Sequence, residues 1–381
     1  MLTKLAEACL FTLQEGGFQS FAVGGCVRDM LLGRPIHDID IATDATPEQV
    51  IALFPHTIPT GFAHGTVTVC LESEQFEVTT FRSESAYSDG RHPDAVRFEK
   101  DITADLSRRD FTANAMALSL DGALLDPFGG QEDLQQRLLR CVGEPSRRFA
   151  EDSLRILRAV RFAAQLDFEI EAKTLQAMID LRAGLKTVSA ERLREELVRI
   201  LLAEYPQRGN LLFSLDLFEF SGDFTRFSRY PTQLLPRLTA FCRQANDASL
   251  PQRLKWNRRI CSSVRQAEQL AQAAPLSQAD WRQVIGRYGE MTGLALAGWL
   301  DELETFAAVS GQSFVRHVSE LAVSGADLLA EGLVGEEIGA AQKRLLEYVW
   351  RYPEENEREL LLAFLYAENC TAEAEQSFEP E

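Results

Sequence analysis

Residues 24–43 read GGCVRDMLLGRPIHDIDIAT, and this stretch decides how the first third of the chain folds. Just upstream, Phe21-Ala22-Val23 is a short apolar run that stops at Gly24-Gly25. Cys26 to Leu32 then shows helical periodicity and ends at Gly33, so a strand, a glycine turn and a helix follow one another. Ile36 to Ala42 alternates at period two over most of its length, which predicts a second strand. Ile39 and Ile41 then share one face and Asp38 and Asp40 the other, with the two carboxylates about 6–7 Å apart. Parity places His37 with Ile39.

Two carboxylates on one face repel each other unless a cation lies between them. Hard oxygen ligands suit Mg²⁺, which takes one or two protein carboxylates together with substrate phosphates. A bare Asp-x-Asp on a solvated strand face is the plainer explanation, and the neighbouring residues count against it. Glycines at 24 and 25 let backbone N–H groups approach a phosphate, and the helix start and the forked donor Arg28 add positive potential. Downstream, Thr66–Leu71 and Phe76–Arg82 are alternating runs joined by a short polar turn, which predicts a hairpin. Glu77 faces away from Phe76 and Val78 there and can bring a third carboxylate to the same metal. A His-Asp phosphohydrolase needs further histidines. The chain has five (37, 56, 64, 92 and 317), with none at ligand spacing around a second His-Asp. His64-Gly65-Thr66 reads as a turn at a strand entrance.

Wider composition narrows the class. The chain has 381 residues, enough for two or three domains, and 45 % hydrophobic with 25 % charged residues excludes disorder and low complexity. Its apolar stretches fall far short of the ~20 residues that span a bilayer. Residues 1–13 read as an amphipathic helix, not a signal peptide. Seven scattered cysteines without a C-x-x-C pair argue against a disulfide framework or zinc ribbon, and a cytoplasmic protein is expected. Net charge is −18, which taken alone argues against a nucleic-acid partner. Residues 137–161, however, hold seven arginines against three acids, so one polyanion could bind at one place. From Gln131 onward helical periodicity takes over, and Trp256, Trp281 and Trp299 read as core anchors.

As a set, these motifs resemble the class II tRNA nucleotidyltransferases and bacterial poly(A) polymerases, within the polymerase β-type nucleotidyltransferase superfamily. The resemblance runs from GGCVRDMLLGRPIHDIDIAT through FEVTTFR (76–82), YSDGRHP (87–93), LSRRDFTANAMA (106–117) and LDPFGGQEDL (125–134). It continues in RFAEDSLRILRAVRFAAQLDF (148–168) and SAERLREEL (189–197), fades from about 205 to 318, and returns weakly in LAVSGADLL (321–329). It implies an α+β fold, in which a polymerase β-type head with a small mixed sheet precedes an all-α neck, body and tail. The expected bounds are a head at 1–135, a neck at 136–205, a body at 206–318 and a tRNA-binding tail at 319–381.

By resemblance, Asp38 and Asp40 hold catalytic Mg²⁺ with Glu77 as third carboxylate, Gly25 and Arg28 contact the triphosphate, and Arg109 faces the incoming nucleotide. Asp152, Arg155, Arg158 and Arg161 recur at spacing three and predict one row along a helix face, ordinarily a surface ion-pair row. In the family that row selects the nucleotide. Cytosine and adenine both present an amino donor beside a ring-nitrogen acceptor, so Asp152 accepts from the amino group and Arg155 donates to the ring nitrogen. Uracil and guanine present the reverse pattern and leave both side chains unpaired, at about 1–3 kcal/mol each. Arg158 and Arg161 are expected on the nucleotide side, steadying Asp152 or the triphosphate.

The implied activity is template-independent addition of C and A to the tRNA 3′ end from CTP and ATP, with pyrophosphate released and neither a membrane nor a protein partner involved. An A-adding specialist and a poly(A) polymerase are the alternatives within the class. The loop from Ser83 to Val96, with Tyr87, Asp89, Arg91 and Pro93, looks complete and disfavours a CC-only enzyme. The last eleven residues hold four acids and no base, which disfavours polyadenylation. A non-catalytic RNA-binding paralogue is the rival from another class, and the intact Asp38/Asp40/Glu77 set opposes it.

Overall fold

The computed structural model describes residues 2–85, 95–215 and 224–376. The chain divides into two compact units, Met1–Ser228 and Arg229–Glu381. In the first, helix α1 (Lys4–Glu15) is capped by the Thr3 hydroxyl, which accepts from the Ala6 N–H at 3.1 Å, and it buries Ala6, Cys9, Leu10 and Leu13. Strand β1 (Ser20–Val23), helix α2 (Gly25–Leu31) and strand β2 (Asp40–Thr43) follow. Next come α3 (Pro47–Leu53), β3 (Thr57–Gly61), and the predicted hairpin of β4 (Thr66–Leu71) and β5 (Glu74–Thr80). Strands β6 (Arg82–Ser85) and β7 (Ala95–Phe98) form a separate antiparallel ladder. Helix α4 (Ile102–Ser107), β8 (Ala117–Ser119), β9 (Leu124–Leu125) and α5 (Gly130–Gln135) complete the α/β part.

Seven strands form one mixed sheet in the order β3-β4-β5-β2-β1-β8-β9. The β2–β5 pair is parallel and the others are antiparallel. Val23, Ala42, Phe81, Leu106, Ala115 and Ala117 bury one face of this sheet against α4.

The alternating run at 36–42 becomes a strand only from Asp40. Its partner explains why: β1 ends at Val23, paired with Asp40, and Gly24 then turns the chain away at φ +79°. Residues 34–39 therefore have no ladder to join. Ile39 is still buried, but parity fails for His37, which is exposed.

Among the described residues beyond Gln131, the only strands are β10 (Leu138–Leu139) and β11 (Glu169–Ile170), which pair in parallel, and the regular structure is otherwise helical. Helices α6 (Pro145–Glu151), α7 (Leu154–Leu166), α8 (Ala172–Leu181) and α9 (Ala190–Leu201) make up this part. The second unit is helical among its described residues. Trp281 and Trp299 are buried there as anchors, whereas Trp256 is only half-buried. Toward the C-terminus, Leu321, Val323, Leu328, Leu345, Val349 and Leu361 form a further apolar cluster.

Candidate active site

A cleft of about 520 Å³ opens in the first unit, lined by the ends of β1, β2 and β5 on one side and by α7 and α9 on the other. That volume is within the range of small-ligand sites. Asp40 and Glu77 lie at the same register on the parallel strands β2 and β5, with the buried pair Ile41 and Val78 one step further along. Both carboxylates consequently face the cleft. Asp38 is exposed in the irregular segment before β2 and does not line it. Asp40 is exposed as a residue, but desolvation of its carboxyl within the cleft raises its pKa above the ordinary range. Arg109 opposes that shift, and the charges of Glu77 and Asp38 reinforce it.

A site for a hard cation is consistent with this cluster, because a positive ion beside Asp40 relieves that repulsion. Among the described residues no three carboxylate, imidazole or thiolate groups close around one point. The protein thus offers facing carboxylates with an open side, which suits an ion that takes one or two carboxylates plus phosphate oxygens.

Above the carboxylates lies the Gly24-Gly25 turn. Arg109 packs over it so closely that a Cβ on Gly24 would come within 2.7 Å of the guanidinium. Arg109 donates to Asp105 at 3.3 Å, and its Nε is buried without a hydrogen-bond partner. Arg28 forks onto Asp29 at 2.9 and 2.8 Å and donates to the Asn114 side-chain oxygen at 2.7 Å. Asn114 in turn donates to Asp110 at 3.3 Å, and Asp110 accepts a fork from Arg158 at 2.8 and 2.5 Å. Burial alone would raise the Asp110 carboxyl, but the Arg158 guanidinium and the Asn114 bond hold it down at about 2. This chain of bonds ties the glycine turn to α7.

Helix α7 departs from the expected row. Asp152 does not lie on a helix face; it sits at the break between α6 and α7, with φ −149° and ψ 106°. Its carboxylate caps the new helix by accepting from the Leu154 N–H at 3.0 Å. It also accepts a fork from Arg192, on the first turn of α9, at 3.2 and 2.7 Å. Asp and Ser at 152–153 are residues that prefer capping to helix interiors, and here the cap wins. Arg155 follows on α7, lines the cleft with Asp152, and donates to Glu151 at 2.7 Å. Arg158 lines the cleft as well.

Arg161 does not. It is buried, forms an ion pair with Glu196 at 2.6 Å and stacks 3.9 Å from the Phe162 ring centre. The expected nucleotide-side position is thus corrected: three residues per step drifts around a 3.6-residue turn, and two steps along α7 from Arg155 the side chain has rotated by about 120°, into the α7–α9 contact. Phe162 itself lines the cleft, with Arg28 and Arg158 5.3 and 5.5 Å from its ring centre.

Of the residues singled out from sequence, Gly25, Arg28, Asp40, Glu77, Arg109, Asp152, Arg155 and Arg158 converge on this cleft. Asp110, Asn114 and Arg192 line it too, and sequence reasoning gave them no role. All three sit inside motifs quoted above, and that placement was the available signal. The residues Tyr87, Asp89, Arg91 and Pro93 lie outside the described residues. Chemically, the cleft opposes carboxylates on the sheet side to a bank of arginines on the helix side. It can hold a polyphosphate beside a cation.

Comparison with known proteins agrees with this geometry. The family described as "Poly A polymerase head domain" matches residues 20–140, and "Probable RNA and SrmB- binding site of polymerase A" matches 167–221. The chain is 34 % identical over 369 residues to a CCA-adding enzyme of Pediococcus pentosaceus, covering 89 % of this chain and 91 % of that one. It is 35 % identical over 385 residues to a CCA-adding enzyme of Enterococcus faecalis, covering 95 % of each. Among solved structures, the CCA-adding enzyme of Bacillus stearothermophilus in complex with CTP superposes with a TM-score of 0.78 at 30 % identity, covering 97 % of this chain and 98 % of that one.

Proposed function

Because the chain belongs to the CCA-adding enzyme and poly(A) polymerase family, it is a nucleotidyltransferase that adds C and A to tRNA 3′ ends from CTP and ATP, and we propose that the cleft of the first unit carries the reaction. The observation that supports this best is the opposition of Asp40 and Glu77 to the Asp152–Arg155 pair across one cavity.

The family uses a divalent metal, and Mg²⁺ is the ion proposed here, held by Asp40 in the cleft and by Asp38, whose charge reaches Asp40 from the segment before β2, with Glu77 beside them. Bound there, it supplies Lewis-acid activation of the tRNA 3′-hydroxyl and charge neutralisation on the departing pyrophosphate. The Gly24-Gly25 turn, Arg28 and Arg109 orient the triphosphate so that the hydroxyl meets the α-phosphorus in line. Asp152 accepts the amino proton shared in kind by cytosine and adenine, and Arg155 donates to the ring nitrogen beside it. Arg158 holds Asp110 ionised at the wall of the cleft.

The finer division into head (1–135), neck (136–205), body (206–318) and tRNA-binding tail (319–381) is part of this proposal. So is cytoplasmic location; among the described residues no helix is long and apolar enough to cross a membrane. At net charge −18, tRNA contact rests on a minority of residues, and its affinity falls steeply with salt.

A product-length assay tests the reading. Transcripts of tRNA ending before CCA, after C and after CC are incubated with Mg²⁺ and each of CTP, ATP, UTP and GTP. Stepwise growth to CCA on all three, with UTP and GTP refused, is expected. Growth only on the CC-ended transcript with ATP would make the protein an A-adding specialist, and no growth would favour a non-catalytic paralogue.

A further inference from the structure

The Asp152 carboxylate is the group the proposed function relies on to recognise the base, yet its orientation does not come from Arg155. Arg155 lies on Glu151, while both oxygens of Asp152 are gripped from another helix by Arg192. We propose that Arg192 is a positioning residue that sets base selection by fixing the plane of the Asp152 carboxylate, so that one open lone pair faces the nucleotide. This rests on the reading of Asp152 as the base acceptor.

Counting acceptors gives the reason. A carboxylate offers about four lone-pair positions. Three N–H donors reach Asp152: the Leu154 backbone and one arm of Arg192 on Oδ1, and the other arm of Arg192 on Oδ2. What is left is an acceptor on Oδ2, which an amino group satisfies. A carbonyl oxygen in the same place meets an acceptor with no proton to share.

Arg192 is itself held in place. Glu196 lies one turn further along α9 and closes the buried pair with Arg161 of α7, fixing α9 against the helix that carries Arg155. A planar fork locks the carboxylate's rotation as a single ammonium cannot. Without it, Asp152 can turn about its terminal bond or admit water, and the distinction between amino and carbonyl weakens.

The test measures kcat/KM for CTP, ATP, UTP and GTP on the same tRNA with wild type, Arg192→Gln, Arg192→Lys and Asp152→Asn. The ratio of CTP to UTP is independent of the folded fraction, so partial misfolding cannot imitate the effect. The expected result is a fall of about tenfold in that ratio for both Arg192 variants, Lys included because it keeps the charge and loses the fork. If Asp152→Asn relaxes the ratio while both Arg192 variants keep it, the positioning role is overturned and the base-acceptor reading stands. A uniform rise in KM for all four nucleotides, with the ratio unchanged, overturns it in favour of a direct phosphate contact. If Asp152→Asn keeps wild-type discrimination, the base-acceptor reading fails and this inference with it.

Discussion

Asp40 and Glu77 sit directly opposite one another on two parallel neighbouring strands, and both point into the cleft. Nothing in folding requires two like charges there. The fold tolerates them with Arg109 close by, and the Asp40 carboxyl is left above its ordinary pKa. A carboxyl whose folded pKa exceeds its unfolded value costs stability once ionised, so at neutral pH the ionised Asp40 opposes folding unless a cation joins it. Asp40→Asn is expected to lower nucleotide addition by at least about 10³-fold. In metal-free buffer its melting temperature should match or slightly exceed wild type at pH 7, with the gain vanishing in acid. Mg²⁺ should raise the melting temperature of wild type and not of the variant. An equal Mg²⁺ shift in both would remove Asp40 from the metal site.

The Asp110–Arg158 pair has the opposite sign. Asp110 titrates at about 2 in the folded protein against an ordinary 3.8, so its contribution is present above pH 4 and is lost as pH falls through 2. After solvent screening at the Arg158 side chain, which is 35 % exposed, the shift corresponds to about 2 kcal/mol. Asp110→Asn should therefore be destabilised at pH 6 and approach wild type near pH 2. Urea unfolding across that range checks this, and a gap that persists in acid would assign the loss to hydrogen bonding and packing.

How far the site was legible follows from which forces are local. The Gly24 turn, the Asp40 face and the β4–β5 hairpin depend on alternation and glycine, and each was found where those signals lie. The start of β2 was not, because it is set by where β1 ends, and Gly24 ends it. Arginine partners were the least legible. Glu151 alone receives Arg147, Arg148 and Arg155, so spacing along one helix could not say which carboxylate each guanidinium would choose. Arg192 lies forty residues from Asp152 and meets it only once α7 and α9 have packed.

Arg161 tests the same point by mutation. Its pair with Glu196 is buried on both sides, so removing one partner leaves an uncompensated charge in the α7–α9 contact. Arg161→Met is expected to cost about 3–5 kcal/mol in chemical unfolding. Changing both residues, Arg161→Met with Glu196→Leu, should recover much of that loss, since two apolar groups can replace a buried ion pair. Either way, the folded fraction should discriminate CTP from UTP as wild type does. Altered discrimination in the double variant would return Arg161 to the nucleotide side of the helix.

Gly24 leaves no room for a side chain beneath Arg109. Its φ of +79° is one that residues with a Cβ rarely adopt, and an added Cβ would lie 2.7 Å from the Arg109 guanidinium. That group is the far end of a flexible side chain, so it can move aside, and Gly24→Ala should cost only about 1–2 kcal/mol of stability, mostly backbone strain. The larger effect is expected on catalysis, because Arg109 is displaced from above the turn where the triphosphate is proposed to lie. The two residues should therefore be coupled. Gly24→Ala should lower kcat/KM for CTP at least about tenfold in wild type and much less in an Arg109→Ala background, since the displaced group is already gone. Independent, multiplying losses would mean that Gly24 acts through the backbone alone and that its contact with Arg109 has no part in binding.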